Sequence, residues 1–268
     1  MVATARKNSE QTDILLRRDT DGICRLTLNR PRQYNALSED MLDALQNAFD
    51  EVAEDKSVRV VVIAAEGKAF CAGHDLKEMR ANPSREYYEY LFLKCGRMMT
   101  TMQRIPQPVV ARVHGIATAA GCQLVANADL AVASTAASFA TSGIGVGLFC
   151  MTPGVALSRN LDRKRAFEML FTGEFVSAEQ AVEFGLANYA VAPEELDGKV
   201  DELTGSIAAK SAAAISAGKR VFYRQLEMDM EEAYEYAAKE MACNMMFHDA
   251  GEGIDAFIGK RTPSWKHK

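Results

Sequence analysis

The chain has 268 residues, 48% of them hydrophobic and 25% charged, with a net charge of −5 at pH 7. This composition suits one large globular domain with a sizeable core and room for a smaller C-terminal appendage. It argues against nonspecific nucleic-acid binding, and no apolar run reaches the roughly 20 residues that cross a bilayer.

The opening stretch, residues 1–13, is polar, carries Glu10 and Asp13, and lacks an apolar signal core, so a cytoplasmic protein is expected. The six cysteines (Cys24, Cys71, Cys95, Cys122, Cys150 and Cys243) show neither C-x-x-C pairing nor zinc-ligand spacing. No metal is expected. Free thiols suit a reducing compartment, and most of these read as small buried hydrophobes. Residues 14–16 and 23–28 flank Asp19-Thr20-Asp21-Gly22 and read as a hairpin. Ser38 is a suitable N-cap for a helix whose apolar positions are Met41, Leu42, Leu45, Ala48, Phe49 and Val52. Strands are expected at 59–64, 109–113 and 130–133, and this β-β-α order points to α/β layers rather than an all-helical protein. After Thr152 the pattern turns helical, over 163–171, 177–183, 195–210 and 231–247. Ser177-Ala178-Glu179-Gln180 matches a capping box, and Gly185 stands where a C-terminal cap belongs. The apolar stretch 233–246 suits either a subunit interface or internal core.

Two segments of small residues stand where a strand-like run gives way to a helix. They are Phe70-Cys71-Ala72-Gly73-His74-Asp75-Leu76-Lys77-Glu78 and His114-Gly115-Ile116-Ala117-Thr118-Ala119-Ala120-Gly121-Cys122-Gln123. Such turns leave backbone N–H groups unpaired and open to close approach. Two of them side by side can aim two donors at one oxygen.

These segments resemble the signatures of the crotonase superfamily, the enoyl-CoA hydratase/isomerase family, over nearly the whole chain from about Asp13 to Trp265. The resemblance extends to Leu28-Asn29-Arg30-Pro31-Arg32-Gln33-Tyr34-Asn35-Ala36-Leu37 and to Glu252-Gly253-Ile254-Asp255-Ala256-Phe257-Ile258-Gly259-Lys260-Arg261. Within the family, Gly73-His74-Asp75-Leu76-Lys77-Glu78 and the run from Ala117 to Ala126 look most like its domain-containing protein 3 group. The resemblance implies an α/β fold, a ClpP-like crotonase spiral of β-β-α units over residues 1–200. A C-terminal helical region over 201–268 would build a homotrimer or a hexamer. The implied ligand is an acyl-CoA thioester, with coenzyme A as part of the substrate and no separate cofactor.

By the same resemblance, the backbone N–H groups of His74 and Ala120 form an oxyanion hole for the thioester carbonyl, and Ala120 stands where the family usually has Gly. The His74 side chain is either a surface or CoA-facing group or a pocket base, and His114 reads as structural. Coenzyme A would lie against Arg32, Ala72, Asp75, Leu76 and Lys77, with Phe257 and Lys260 closing over the nucleotide. The two glutamates that manage water in family hydratases fall on Gln123 and Gly143, which cannot take a proton. General acid–base help is worth about 10²–10⁴-fold, so efficient hydration is not expected; in a weak residual hydratase, restoring both glutamates is expected to raise the rate unless the pocket has also reshaped. Cys150 is a candidate replacement as a nucleophile or base, against the reading of a buried inert thiol. Glu86, Tyr87, Tyr88, Glu89 and Tyr90 share a helix that could supply an acid, or simply present a solvated face. The run from Gly143 to Gly147 does not fit G-x-G-x-x-G, so NAD is not expected. The expected activity is lyase-type or isomerase-type handling of an acyl-CoA in fatty-acid metabolism, or thioester hydrolysis. The alternative is a noncatalytic acyl-CoA-binding protein.

Overall fold

The computed structural model describes residues 13–268, so the expectation for the polar N-terminal stretch lies almost wholly outside the described residues. β1 (Leu15–Thr20) and β2 (Ile23–Leu28) form the expected antiparallel hairpin, turning through Asp21 and Gly22, both at positive φ. In α1 (Glu39–Glu54) the Ser38 hydroxyl accepts from the Met41 amide, and the six expected apolar residues are all buried. A helical stripe of that period can bury only one face, and here that face meets the sheet.

Three β-β-α units follow. β3 (Val60–Ala65) leads to β4 (Ala69–Cys71), α2 (Leu76–Ala81) and α3 (Arg85–Arg104). β5 (Val109–Val113) leads to β6 (Ile116–Thr118) and α4 (Ala120–Asn127), and β7 (Leu130–Ser134) leads to β8 (Ser138–Ala140) and α5 (Met151–Asn160). The chain continues through α6 (Arg163–Thr172), β9 (Val176–Ser177), α7 (Ala178–Phe184), β10 (Tyr189–Val191) and α8 (Leu196–Ala208). It ends in α9 (Ala212–Gln225), α10 (Met230–Met245) and α11 (His248–Ile258).

Each unit gives its first strand to a six-stranded sheet, β1-β2-β3-β5-β7-β10, and its second to a four-stranded sheet, β4-β6-β8-β9. β2, β3, β5, β7 and β10 run parallel, as do β4, β6 and β8. This is the spiral expected from the resemblance. β3 is buried along its whole length, as a parallel strand covered on both faces must be. The spiral places the chain between β4 and α2 beside the chain between β6 and α4, which brings the two small-residue turns together.

The sequence reading omits α5, α9 and α11. α5 carries Pro153 and Gly154, but Pro153 lies in the first turn, where its missing N–H has no helical partner to lose. α11 contains Gly251 and Gly253, and a Cβ on Gly253 would come within 3.1 Å of the Trp265 ring. Tertiary contact therefore outweighs glycine's poor helix propensity. The capping box at Ser177–Gln180 is present, and Gly185 caps α7 at φ 86°. The expected division at residue 200 falls within α8.

Carboxylates fasten the later helices. Asp197 on α8 takes two 2.7 Å hydrogen bonds from Arg112 and one from Arg25, which hold its carboxyl down to about 2. Asp249 is buried, which alone raises a carboxyl. Hydrogen bonds from Ser211 and from the Lys266 and His267 amides outweigh burial and draw it to about 2. Folded values depressed below the unfolded range stabilise the fold at pH above about 4, and the contribution is lost as pH falls towards 2. We expect urea midpoints to fall steeply between pH 4 and 2, and Asp249→Asn to flatten that slope.

Candidate active site

Gly73 has φ +91°, and a Cβ there would lie 2.9 Å from the Ala119 Cβ and 3.1 Å from the Ala120 amide nitrogen. Only glycine allows so close an approach in that conformation. The contact brings the turn that carries the His74 amide up against the Ala120 amide. Neither amide donates a hydrogen bond among the described residues. Ala120 opens α4, so its N–H is one of those a helix leaves without a partner. Its neighbour Ala119 carries the strain, at φ 52° and ψ −122°, a region costing a non-glycine residue about 1–3 kcal/mol. The positive φ falls on Ala119, so alanine at 120 is accommodated in ordinary helical geometry.

The turns are braced from both sides. The Leu37 amide donates to Gly73 O at 2.8 Å, the Ala72 amide donates to Tyr34 O at 3.0 Å, and the Ala119 amide donates to Ala140 O at 3.0 Å. Gly121 lets α4 lie against β4, since a Cβ there would stand 2.1 Å from Cys71 O. His114 Nε2 meets Gly67 O at 2.9 Å, as its structural reading expects.

The His74 ring packs edge-on against Phe92 with centroids 5.4 Å apart, and both ring nitrogens are buried without a hydrogen-bond partner. Burial drives its pKa down to about 4, opposed only by the nearby Leu37 backbone. The imidazole is neutral at pH 7 and its nitrogens are shut away from solvent. The lowered pKa argues against a pocket base near neutral pH, and the ring is half-buried rather than a freely exposed surface group.

Gln123 lies one turn into α4, 4% exposed, with its Oε1 buried and unpartnered. Gly143 is crowded: a Cβ there would lie 2.4 Å from Leu148 O and 2.8 Å from Cys150 Sγ. The run 143–150 has closed over the space a side chain would need. The pocket has reshaped at 143, the condition under which restoring glutamate at both 123 and 143 is not expected to revive hydration. We expect Gly143→Ala alone to lower stability by about 1–3 kcal/mol by overpacking, measured by urea unfolding, and Gly143→Glu to fare worse. Cys150 caps α5 and is 7% exposed; burial raises its thiol, against the opposing pull of the Gly143 amide. That environment disfavours the thiolate.

The remaining candidates separate into two groups. Arg32 is exposed and lines an open cavity of about 460 Å³ with Ile14, Asn29, Arg30, Pro31 and Gln33. Arg30 donates to Ala36 O at 2.8 Å and pairs with Asp75 at 3.1 Å, which joins this segment to the one holding Ala72, Asp75, Leu76 and Lys77. Burial would raise the Asp75 carboxyl, but Arg30 and the Glu78 and Lys77 amides hold it below the usual range. Asp75 is thus the N-cap of α2, with its own amide given to Leu37 O. Phe257, 85% exposed, and Lys260 lie on and just after α11, which packs on α9 and α10. They are not drawn to the turns within one chain. Glu86 and Glu89 are exposed, Tyr88 donates to Met79 O, and the Tyr87 hydroxyl is buried without a partner.

The sequence reading missed a hydroxyl pair. Thr118, at the end of β6, and Ser142, next to Gly143, meet with their oxygens 2.7 Å apart. The only local signal is a Thr and a Ser flanking glycine-rich and alanine-rich runs. No group of three or more His, Cys, Asp or Glu suited to a metal occurs among the described residues.

The family model described as "Enoyl-CoA hydratase/isomerase" matches residues 18–268. The "Enoyl-CoA hydratase domain-containing protein 3, mitochondrial" of Rattus norvegicus is 46% identical over 250 residues, 93% of this chain and 83% of the relative. That of Homo sapiens is 45% identical over 251 residues, 94% and 83% of the two chains. A solved structure described as an enoyl-CoA hydratase from Mycobacterium smegmatis superposes with a TM-score of 0.93 at 62% identity, covering 94% of this chain and 99% of that one. The structure of the human enoyl coenzyme A hydratase domain-containing protein 3 gives a TM-score of 0.92 at 44% identity, covering 94% and 100%.

Proposed function

From the premise that the chain belongs to the enoyl-CoA hydratase/isomerase family, we propose that it binds an acyl-CoA thioester and polarises the carbonyl with the His74 and Ala120 amides. The observation carrying this is the 3.1 Å approach of the Gly73 Cβ position to the Ala120 nitrogen, with both amides unspent. Two preorganised donors stabilise an oxygen on which negative charge develops, drawing the thioester towards its enolate. Efficient hydration is not part of the proposal. Gln123 cannot take a proton, Gly143 has no room for a side chain, and the Cys150 thiol is held protonated.

The second reading, a noncatalytic acyl-CoA-binding protein on the same fold, is favoured by those same three features. Incubating the protein in heavy water with a panel of acyl- and enoyl-CoA esters, followed by mass spectrometry, separates the two. Deuterium at C2 or a shifted double bond supports polarisation with isomerase-type chemistry, and free CoA supports hydrolysis. Esters recovered bound but unchanged support the binder. A rapid water adduct would overturn the argument from the missing glutamates.

Coenzyme A in this proposal lies along the Arg32 segment and the residues around Ala72 and Leu76, with Lys77 near the phosphates. Two unlike sets of apolar side chains stand exposed: Val146, Leu148, Met151, Phe167 and Phe171 in one, and Phe222, Met230, Tyr234, Met241, Met246 and Phe257 in the other. Unlike patches suit a head-to-tail contact that closes into a ring, in line with a homotrimer or its doubled hexamer. Phe257 and Lys260 would then close over a neighbour's nucleotide. No helix among the described residues is long and apolar enough to cross a membrane. The relatives named mitochondrial lend no support to a cytoplasmic setting, and the free cysteines fit any reducing compartment.

A further inference from the structure

We propose that Asn35 is the positioning residue that aims the His74 amide at the thioester carbonyl, acting through the backbone of Leu37, with Arg30 as a second tie. The inference rests on the paired amides being the seat of that carbonyl.

Leu37 makes an isolated parallel bridge to His74. Its amide donates to Gly73 O at 2.8 Å, and its carbonyl accepts from the Asp75 amide at 3.3 Å. In a parallel bridge of this kind, one residue bonds to both neighbours of its partner, and the partner's own N–H and C=O face the opposite side. The His74 N–H therefore points away from Leu37. Its aim is set by the backbone that Leu37 holds and not by the His74 ring. An oxyanion donor has to be held to within about 0.5 Å and 10–20° of its working position, so whatever fixes Leu37 governs the donor.

Asn35 fixes it from two residues away. The side chain is fully buried, and its Nδ2 donates to Glu66 O and to Ala69 O at 2.8 Å each, while Oδ1 accepts from the Arg30 amide at 2.8 Å. Both of its polar hydrogens are spent within the chain, so it acts through backbone and not by touching a ligand. Ala69 opens β4, the strand that runs into the His74 turn. One carboxamide thus fastens the 30–37 stretch to the base of the strand whose far end that stretch must align.

Tyr34 and Asn35 both lie in the left-handed region, at φ 51° and 55°. Asparagine enters it more readily than most residues, and such a bend persists only where its surroundings over-determine it. The bend presents Tyr34 O to the Ala72 amide at 3.0 Å, just before Gly73. The Arg30 guanidinium closes the arrangement, donating to Ala36 O at 2.8 Å and pairing with Asp75 at 3.1 Å, on the residues flanking Leu37 and His74.

The test is Raman difference spectroscopy of the purified full chain with butyryl-CoA carrying carbon-13 at the thioester carbonyl, beside calorimetric titration and urea unfolding. The carbonyl stretch is expected to fall when the parent chain binds the ester. Asn35→Gly leaves the left-handed conformation open and removes all three side-chain bonds. It is expected to bind the ester and to lose about half of the shift, one of two donors being misaimed. Arg30→Gln is expected to lose a smaller part, and it decides the matter if Asn35→Gly does not fold. A merely structural Asn35 would lower the urea midpoint and leave the stretch at its parent position, which would overturn the inference. An unchanged shift in Arg30→Gln, where that variant decides, would overturn it too. If the parent chain binds butyryl-CoA without any shift, or does not bind it, the thioester reading fails first and the inference falls with it.

Discussion

Replacing Ala120 with proline is expected to slow deuterium exchange at C2 of a bound acyl-CoA by about 10²–10³-fold, the usual effect of losing one oxyanion donor. Ala120 is the first residue of α4, where a helix accepts proline because the N–H it lacks has no helical partner. The substitution removes the proposed donor without breaking a helical hydrogen bond, although Ala119, at φ 52° and ψ −122°, must adjust to the proline ring. Ala120→Gly keeps the N–H and serves as the control, expected to retain most of the rate. If the chain is purely a binder, the same pair is read as affinity, with proline weakening thioester binding and glycine preserving it. Equal behaviour of the two variants would show that the Ala120 amide does not touch the carbonyl.

Asp129→Ala is expected to destabilise the chain by about 3–5 kcal/mol, the cost of leaving a buried charge without its partner. The Lys219 ammonium on α9 is 7% exposed and meets Asp129 at 2.7 Å, and it donates to Gln107 O at 2.8 Å and Met102 O at 3.0 Å. All three of its hydrogens are used. Asp129 also accepts from the Tyr223 hydroxyl at 2.7 Å and from the Val109 amide at 2.6 Å. Burial lowers the Lys219 pKa, and Asp129 is the charge that opposes this. Removing the carboxylate strands a lysine, a phenol and a strand amide together. The double variant Asp129→Ala/Lys219→Met is expected to recover part of the loss in urea unfolding, since no buried charge then remains. A fully additive double variant would show that the two side chains do not interact.

This pair also marks how far the sequence could be read. Helices with their own caps and period were legible: Ser38 before α1, and Ser177, Gln180 and Gly185 around α7. α9 was not, because its attachment runs through Lys219 to carbonyls 112 and 117 residues away in the chain. The site divides the same way. The small residues of both turns, and the absence of a proton acceptor at Gln123 and Gly143, stand in the sequence itself. The Thr118–Ser142 contact spans 24 residues and has no local pattern to announce it.

The sequence by itself determined the α/β order, the hairpin, the caps at Ser38, Ser177 and Gly185, and the two turns whose amides remain free. Each depends on a few adjacent residues acting through backbone conformation and side-chain period. Only the tertiary structure decided that Gly143 is walled in by Leu148 and Cys150, and that His74 is neutral and occluded against Phe92. It alone revealed that Gln123 keeps an unspent acceptor. Those outcomes depend on which distant segments pack over a group and exclude water from it. Desolvation of that kind belongs to the folded surroundings and is not written into any local stretch of chain.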